Sequence, residues 1–156
     1  MNLQSKNIIF DLKGVLFSKD NQATYSPLIP GIELLKKCYA ITDSQGNRLH
    51  KLYVLSNMKT ANFNQLKQQF PDVFDLFDGI VISGELNDIK KPDVRMYNHI
   101  ISTFNLNPLN SIFIDDAYEN VRAAEITGMT GIECLDHDKV EHTLCKLHAL
   151  TPDNKY

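Results

Sequence analysis

Five short apolar runs alternate along this chain with longer stretches that carry helix signals. Each run is strand-sized and lacks a strict apolar-polar alternation, as is typical of strands buried on both faces of a parallel sheet. The runs span residues 8–10, 52–55, 79–82, 111–114 and 130–134. The alternation of strand and helix predicts an α/β fold, a three-layer, doubly wound parallel sheet with five core strands and right-handed crossovers.

The stretches between the runs predict five helices. Pro71 stops the second helix, Asp93 supplies a carboxylate near the start of the third, and Gly128 ends the fourth. The polar segment 17–30 contains two prolines and indicates a surface loop. The predicted helices span residues 30–42, 60–70, 94–104, 118–127 and 138–150.

Length and charge narrow the classes of function. A chain of 156 residues predicts a single domain over 1–156, and a net charge of -3 offers no basic footprint for nucleic acid. The apolar runs are far shorter than the roughly 20 residues that cross a bilayer, and the first residues lack the apolar core of a signal peptide. We therefore expect a cytoplasmic protein without membrane contact. Three widely spaced cysteines favour free thiols over disulfides, and the histidine and cysteine spacing argues against a site for zinc.

Polar side chains follow the predicted strands at the point where each strand ends. Asp11, Ser56 and the pair Asp115-Asp116 come directly after apolar runs, and Lys91 precedes a predicted helix. Because the carboxyl ends of parallel strands lie along one edge of a sheet, we expect these side chains to converge there.

Such a group of side chains has the parts needed to bind a phosphoryl group. Ser56 and nearby backbone N–H groups would donate hydrogen bonds to phosphate oxygens, and Lys91 would neutralise their charge. The acidic pair would hold Mg²⁺, which prefers oxygen ligands, and Asp11 would act as nucleophile.

Each of these residues also has a structural alternative. The carboxylates and Ser56-Asn57 are typical helix caps, and a lysine beside Lys90 is often solvated.

Four motifs in the same order resemble those of the haloacid dehalogenase-like (HAD) hydrolases, and the resemblance covers nearly the whole chain. A typical helical continuation, ENVRAAEITGM, occupies residues 119–129. The motifs are IFDLKGVL at 9–16, VLSN at 54–57, KPD at 91–93 and FIDD at 113–116.

The resemblance implies a fold and a set of metal ligands. It implies the strand order 5-4-1-2-3 and an aspartyl-phosphate mechanism in which Asp11 is both the nucleophile and a Mg²⁺ ligand. The backbone carbonyl of Lys13 would be a second ligand. Asp116 would bind the metal directly and Asp115 through water, although these two could exchange roles.

The resemblance also assigns the phosphate site and exposes one departure. Ser56 and Lys91 would hold the phosphate, with Asn57 assisting. Phosphatases of this family carry a second aspartate, the acid/base residue, where this chain has Lys13. A charged lysine among Asp11 and the acidic pair would be a poor base for water and would weaken Mg²⁺ affinity. We therefore predict weak or altered phosphatase activity.

The spacing of the motifs leaves no room for a cap domain. Residues 17–30 are too few for a helical cap, and residues 57–91 are filled by the expected helix and strand. An open cleft suits a large or protruding phosphorylated substrate, such as a phosphoprotein, a nucleic-acid end or a lipid head group. A cap supplied by a partner subunit is the alternative. Tyr25, Leu28 and Ile29 are candidates for contact with such a substrate or partner, or they pack on the core of their own domain.

Three classes of function follow. The first is a HAD-like hydrolase, nominally a Mg²⁺-dependent phosphatase. The second is a catalytically inactive phosphate-binding or protein-interaction module on the same fold. The third, a phospho-accepting receiver domain, is disfavoured because its acidic pair follows the first strand, whereas Asp115-Asp116 follow the fourth.

Overall fold

A five-stranded parallel sheet forms the centre of the computed structural model, which describes residues 2–153. Its strands are β1 (Asn7–Phe10), β4 (Lys51–Ser56), β5 (Gly79–Ile82), β6 (Ser111–Asp115) and β7 (Thr130–Glu133). From one edge of the sheet to the other they lie in the order β5-β4-β1-β6-β7. The predicted α/β fold with a doubly wound parallel sheet is confirmed.

The strand numbers differ from those expected because two further strands precede β4. The strands β2 (Phe17–Lys19) and β3 (Tyr25–Pro27) pair with each other as a separate antiparallel hairpin. Counted without this hairpin, the sheet reads 5-4-1-2-3 from the β7 edge.

The central strand β1 explains why its sequence is apolar without alternation. Ile8 and Phe10 belong to the core on one face of the sheet, and Ile9 belongs to the core on the other face. All three side chains are fully buried. Since β1 is covered on both faces and paired on both edges, Asp11 is held at the carboxyl end of the most enclosed strand.

Helices cover both faces of the sheet. They are α1 (Ile29–Ala40), α2 (Thr60–Gln69), α3 (Pro71–Phe74), α4 (Val94–Thr103), α5 (Tyr118–Ile126) and α6 (His137–Lys146). The core on the Ile8 face includes residues of α1, α2 and α6, and the core on the Ile9 face includes residues of α4 and α5. None of the helices within residues 2–153 has the length and hydrophobicity that crossing a bilayer requires.

Two predictions of local structure were wrong. The segment 17–30 is not irregular, because it contains the β2–β3 hairpin, whose turn is fixed by Asp20 Oδ1 accepting the N–H groups of Gln22 and Thr24. The last helix ends at Lys146 rather than at residue 150. Beyond it, His148 adopts a φ of 58° and the N–H of Ala149 bonds back to the carbonyl of Leu144.

Candidate active site

Three carboxylates and one ammonium group meet at the carboxyl edge of the sheet. Asp11, Asp115 and Asp116 each place a carboxylate oxygen within 4.8 Å of the others. Lys91 Nζ lies 2.6 Å from Asp115 Oδ2 and 3.0 Å from Asp11 Oδ1. The topology therefore brings together residues from the ends of two neighbouring strands and from the segment before α4.

Lys91 is the buried cation of this site, so its reading as a solvated charge is wrong. Only 1% of its side chain is exposed, and its Nζ also lies 5.2 Å from the centre of the Phe113 ring. Asn57 fixes the lysine backbone, because its Nδ2 donates to the Lys91 carbonyl at 2.9 Å and its Oδ1 accepts the Lys91 N–H at 2.8 Å. The Asn57 side chain thus positions Lys91, and the expected help of Asn57 in holding phosphate stays a prediction.

Asp115 is fully buried and its oxygens are committed to the protein. Oδ1 accepts the N–H of Ala117, while Oδ2 accepts hydrogen bonds from Lys91 Nζ and from Asn120 Nδ2. A carboxylate with this many donors holds its neighbours in place and has little capacity left for a direct ligand.

Asp11 has one committed and one available oxygen. Its Oδ1 accepts the N–H of Leu12 at 2.8 Å and faces Lys91, whereas Oδ2 has no hydrogen-bond partner among residues 2–153. Burial raises the pKa of the Asp11 carboxyl to about 6, and the charge of Lys91 opposes this rise. This oxygen is therefore available to a ligand at the carboxyl edge of the sheet.

Asp116 is the exposed member of the acidic cluster. Burial of part of its carboxyl and the adjacent Asp115 charge raise its pKa. Its side chain lies against Gly14, where a Cβ atom would come within 2.1 Å of Asp116 Oδ2 and where φ is +88°. Both the space and the backbone conformation therefore require glycine at position 14.

The side chain of Lys13 lies away from the acidic cluster, although its place in the sequence predicted that it would lie among these carboxylates. Its side chain is exposed and forms no ion pair with any carboxylate in the described part of the chain, so it does not lie in contact with the acidic cluster. Lys91 occupies that place instead. The Lys13 backbone carbonyl accepts no hydrogen bond from the described residues, which leaves it available as a metal ligand.

Ser56 ends β4 beside Asp11. In the parallel register Phe10 pairs with Val54, so Ser56 lies two residues beyond that pair at the same edge. The residue is 2% exposed, and its hydroxyl makes no hydrogen bond within residues 2–153. This hydroxyl is free to donate to a bound anion.

Two residues of the site were missed by reasoning from sequence. Asn120 donates to Asp115 Oδ2 at 3.1 Å, and the hydroxyl of Tyr97 donates to the Asn120 carbonyl at 2.7 Å. Burial raises the pKa of Tyr97 and keeps its hydroxyl protonated as a donor. Asn120 follows the acidic pair by a few residues, and this is the sequence signal that could have revealed it.

The donor set fits a hard divalent cation. Three carboxylates and the Lys91 ammonium give the cluster a formal charge of −2, and the available ligands are carboxylate and carbonyl oxygens. Mg²⁺ and similar ions prefer such oxygen ligands and balance this charge.

Comparison with known proteins identifies the family. A model described as hydrolase, haloacid dehalogenase-like hydrolase, matches residues 40–128, more than half of the chain. The chain is a member of the HAD-like hydrolase family. The family resemblance is thereby confirmed, and the matched residues include three of the four motifs, those at 54–57, 91–93 and 113–116.

Two fungal relatives match stretches of similar length in this chain. The sesquiterpene phosphatase astK of Aspergillus oryzae is 36% identical over 85 residues, or 54% of this chain and 42% of that protein. The drimenol cyclase drtB of Aspergillus calidoustus is 27% identical over 97 residues, or 62% of this chain and 18% of that protein. The match thus spans less than half the length of either relative.

A solved structure supports the fold. The HAD family enzyme bt-2542 of Bacteroides thetaiotaomicron, in complex with magnesium and inorganic phosphate, superposes with a TM-score of 0.62 at 17% identity. The superposition covers 82% of this chain and 93% of that enzyme. At this identity the likeness concerns the fold alone.

Proposed function

We propose that this protein is a magnesium-dependent phosphatase that transfers the phosphoryl group of a phosphomonoester to Asp11. The observation that carries the proposal is the buried Lys91 ammonium, paired with Asp11 and Asp115 in a cluster of formal charge −2. The phosphatase name of one relative and the magnesium and phosphate in the bt-2542 complex support the same chemistry.

Magnesium would be held by Asp11, Asp116 and the backbone carbonyl of Lys13. Asp115, whose oxygens already accept three hydrogen bonds, would act through a water molecule. When bound, the metal would neutralise negative charge so that a phosphate anion can approach the Asp11 carboxylate.

The residues of this chain divide the reaction between them. Lys91 and the Ser56 hydroxyl would hold the phosphate oxygens, and the free Oδ2 of Asp11 would attack phosphorus. The phosphorus–oxygen bond to the leaving group breaks, and the departing oxygen takes a proton from water. Water then attacks the phosphorus of the aspartyl-phosphate, which releases phosphate and restores the Asp11 carboxylate.

The last step is the slow one in this proposal. It needs a general base, and Lys13 offers an ammonium at the position where the family's phosphatases have a carboxylate. The aspartyl-phosphate should therefore accumulate and turnover should be weak. Lys13 should weaken Mg²⁺ affinity less than its place in the sequence suggested, because the ammonium group is exposed and solvent screens its charge.

The experiment compares p-nitrophenyl phosphate hydrolysis with and without MgCl₂ for wild type and Asp11→Asn. Hydroxylamine treatment followed by peptide mapping detects the acyl phosphate on Asp11. We expect magnesium-dependent release of nitrophenol and an adduct that Asp11→Asn abolishes. Equal nitrophenol release by both proteins, or an adduct elsewhere, would contradict the proposal.

A non-catalytic module is the second candidate, and the cation at position 13 is the observation that favours it. Such a module would bind inorganic phosphate with MgCl₂ in calorimetry, yet release no nitrophenol and form no adduct on Asp11. The two candidates therefore give different outcomes in the same set of measurements.

Three broader expectations remain part of the proposal. We expect an uncapped cleft, and the short β2–β3 hairpin between β1 and α1 supports this expectation. A large or macromolecular phosphorylated substrate is expected at such a cleft. A cytoplasmic location is supported by the three free cysteines Cys38, Cys134 and Cys145.

A further inference from the structure

Among residues 2–153, five large apolar side chains are more than half exposed, and three of them belong to the carboxyl edge that carries the acidic cluster. Ile29 is 62% exposed, Tyr118 is 61% exposed and Leu135 is 78% exposed. We name these three residues the apolar rim. The other two, Leu109 and Ile126, belong to the opposite edge of the sheet.

Two members of the apolar rim are connected through the backbone to the aspartates of the acidic cluster. Tyr118 begins α5 and is the second residue after Asp116. Leu135 follows Cys134, whose N–H donates to the Asp115 carbonyl at 2.8 Å. Both side chains are therefore carried by backbone that is anchored within a few residues of the acidic cluster.

The third member, Ile29, lies beside the turn that follows Asp11. It begins α1, and two residues later a Cβ on Gly31 would lie 2.0 Å from the carbonyl oxygen of Val15. The same carbonyl accepts a hydrogen bond from His137 Nε2 at 2.7 Å. The start of α1 and the segment that carries Leu135 thus flank a single turn next to the cluster.

We infer that the site takes phosphomonoesters of an apolar alcohol several carbons long, with the hydrocarbon lying on the apolar rim. The inference rests on the proposed function, because the phosphate must be held at Lys91 and Ser56. A phosphate bound there points its ester group away from the buried lysine and out of the cleft. Exposed hydrocarbon at the mouth then gains free energy by covering an apolar ester group.

The test is isothermal calorimetry with ethylphosphonate and octylphosphonate in the presence of MgCl₂. A phosphonate carries the same charged head group, and its carbon–phosphorus bond is not displaced by Asp11, so binding is measured without turnover. Contact of part of a chain of six added methylenes should tighten binding by about tenfold or more. Wild type should therefore prefer octylphosphonate by at least that factor.

A matched pair of double variants locates the contact. Ile29→Gln/Leu135→Gln removes two members of the apolar rim, and Ile126→Gln/Leu109→Gln makes the same exchange at the opposite edge, where the side chains are similarly exposed. The first variant should lose most of the preference for octylphosphonate, and the second should keep it. Loss in both variants, or in neither, overturns the inference.

The outcomes separate this inference from the proposed function. Equal affinity of wild type for both phosphonates, together with an adduct on Asp11, overturns the apolar rim as a substrate contact and leaves the phosphatase proposal standing. Binding of neither phosphonate contradicts the phosphate site itself, and the inference fails with it.

Discussion

Replacement of Lys91 by methionine tests how the site is held together. The side chain is 1% exposed and pairs with Asp115 at 2.6 Å and Asp11 at 3.0 Å. Removal of one partner of a buried ion pair costs about 3–5 kcal/mol, since the other charge stays buried. Asp115 keeps the donors Ala117 and Asn120, so we expect the lower end, a loss of about 3 kcal/mol in the free energy of unfolding.

The assay is urea unfolding followed by circular dichroism at pH 7, with Lys90→Met as the control. Lys90 is the exposed neighbour in sequence, and its replacement should change the free energy of unfolding by less than about 0.5 kcal/mol. MgCl₂ should stabilise Lys91→Met more than wild type, because the formal charge of the cluster changes from −2 to −3. Equal stability of the Lys91 and Lys90 variants would refute the buried ion pair.

Three further predictions use the same structure. His50 Nε2 donates to the Ala149 carbonyl and Nδ1 accepts the Lys6 N–H, and burial lowers its pKa. Because the unfolded chain then binds more protons than the folded protein, the free energy of unfolding should fall as pH drops below about 6.5. This pH dependence should be shallower in His50→Gln. The same pH dependence in both proteins would contradict the prediction. Gly31→Ala should lower the free energy of unfolding by about 1–3 kcal/mol, because the alanine Cβ would meet the Val15 carbonyl. This cost should exceed the gain from the higher helix propensity of alanine. Unchanged urea unfolding would exclude the close contact. Lys13→Asp should raise the turnover of p-nitrophenyl phosphate by about tenfold or more, because it supplies the missing general base. Brisk turnover by wild type that Lys13→Asp does not improve would contradict this explanation of weak activity.

The sequence was sufficient to predict the parallel sheet and the convergence of Asp11 and Asp115 at its carboxyl edge. A strand covered on both faces is apolar throughout, as Ile8, Ile9 and Phe10 are, so its carboxyl end is easily located. Parallel pairing then puts the residues after each strand at one edge, which is how Asp11 and Asp115 come together.

Side-chain direction could not be read in the same way. Lys13 is next but one to Asp11 yet points to solvent, while Lys91, far away in sequence, is buried against it. The bidentate bonding of Asn57 to the Lys91 backbone depends on tertiary structure that no local pattern encodes. The β2–β3 hairpin was missed because its strands have three residues each and are largely exposed.

The most direct test of the account is a crystal structure of the protein soaked with MgCl₂ and inorganic phosphate. We predict density for an ion bonded to Asp11, Asp116 and the Lys13 carbonyl, and for a phosphate that contacts Ser56 and Lys91. Density for neither at saturating concentrations, with Lys91 still paired to Asp11 and Asp115, would contradict the proposed phosphoryl chemistry.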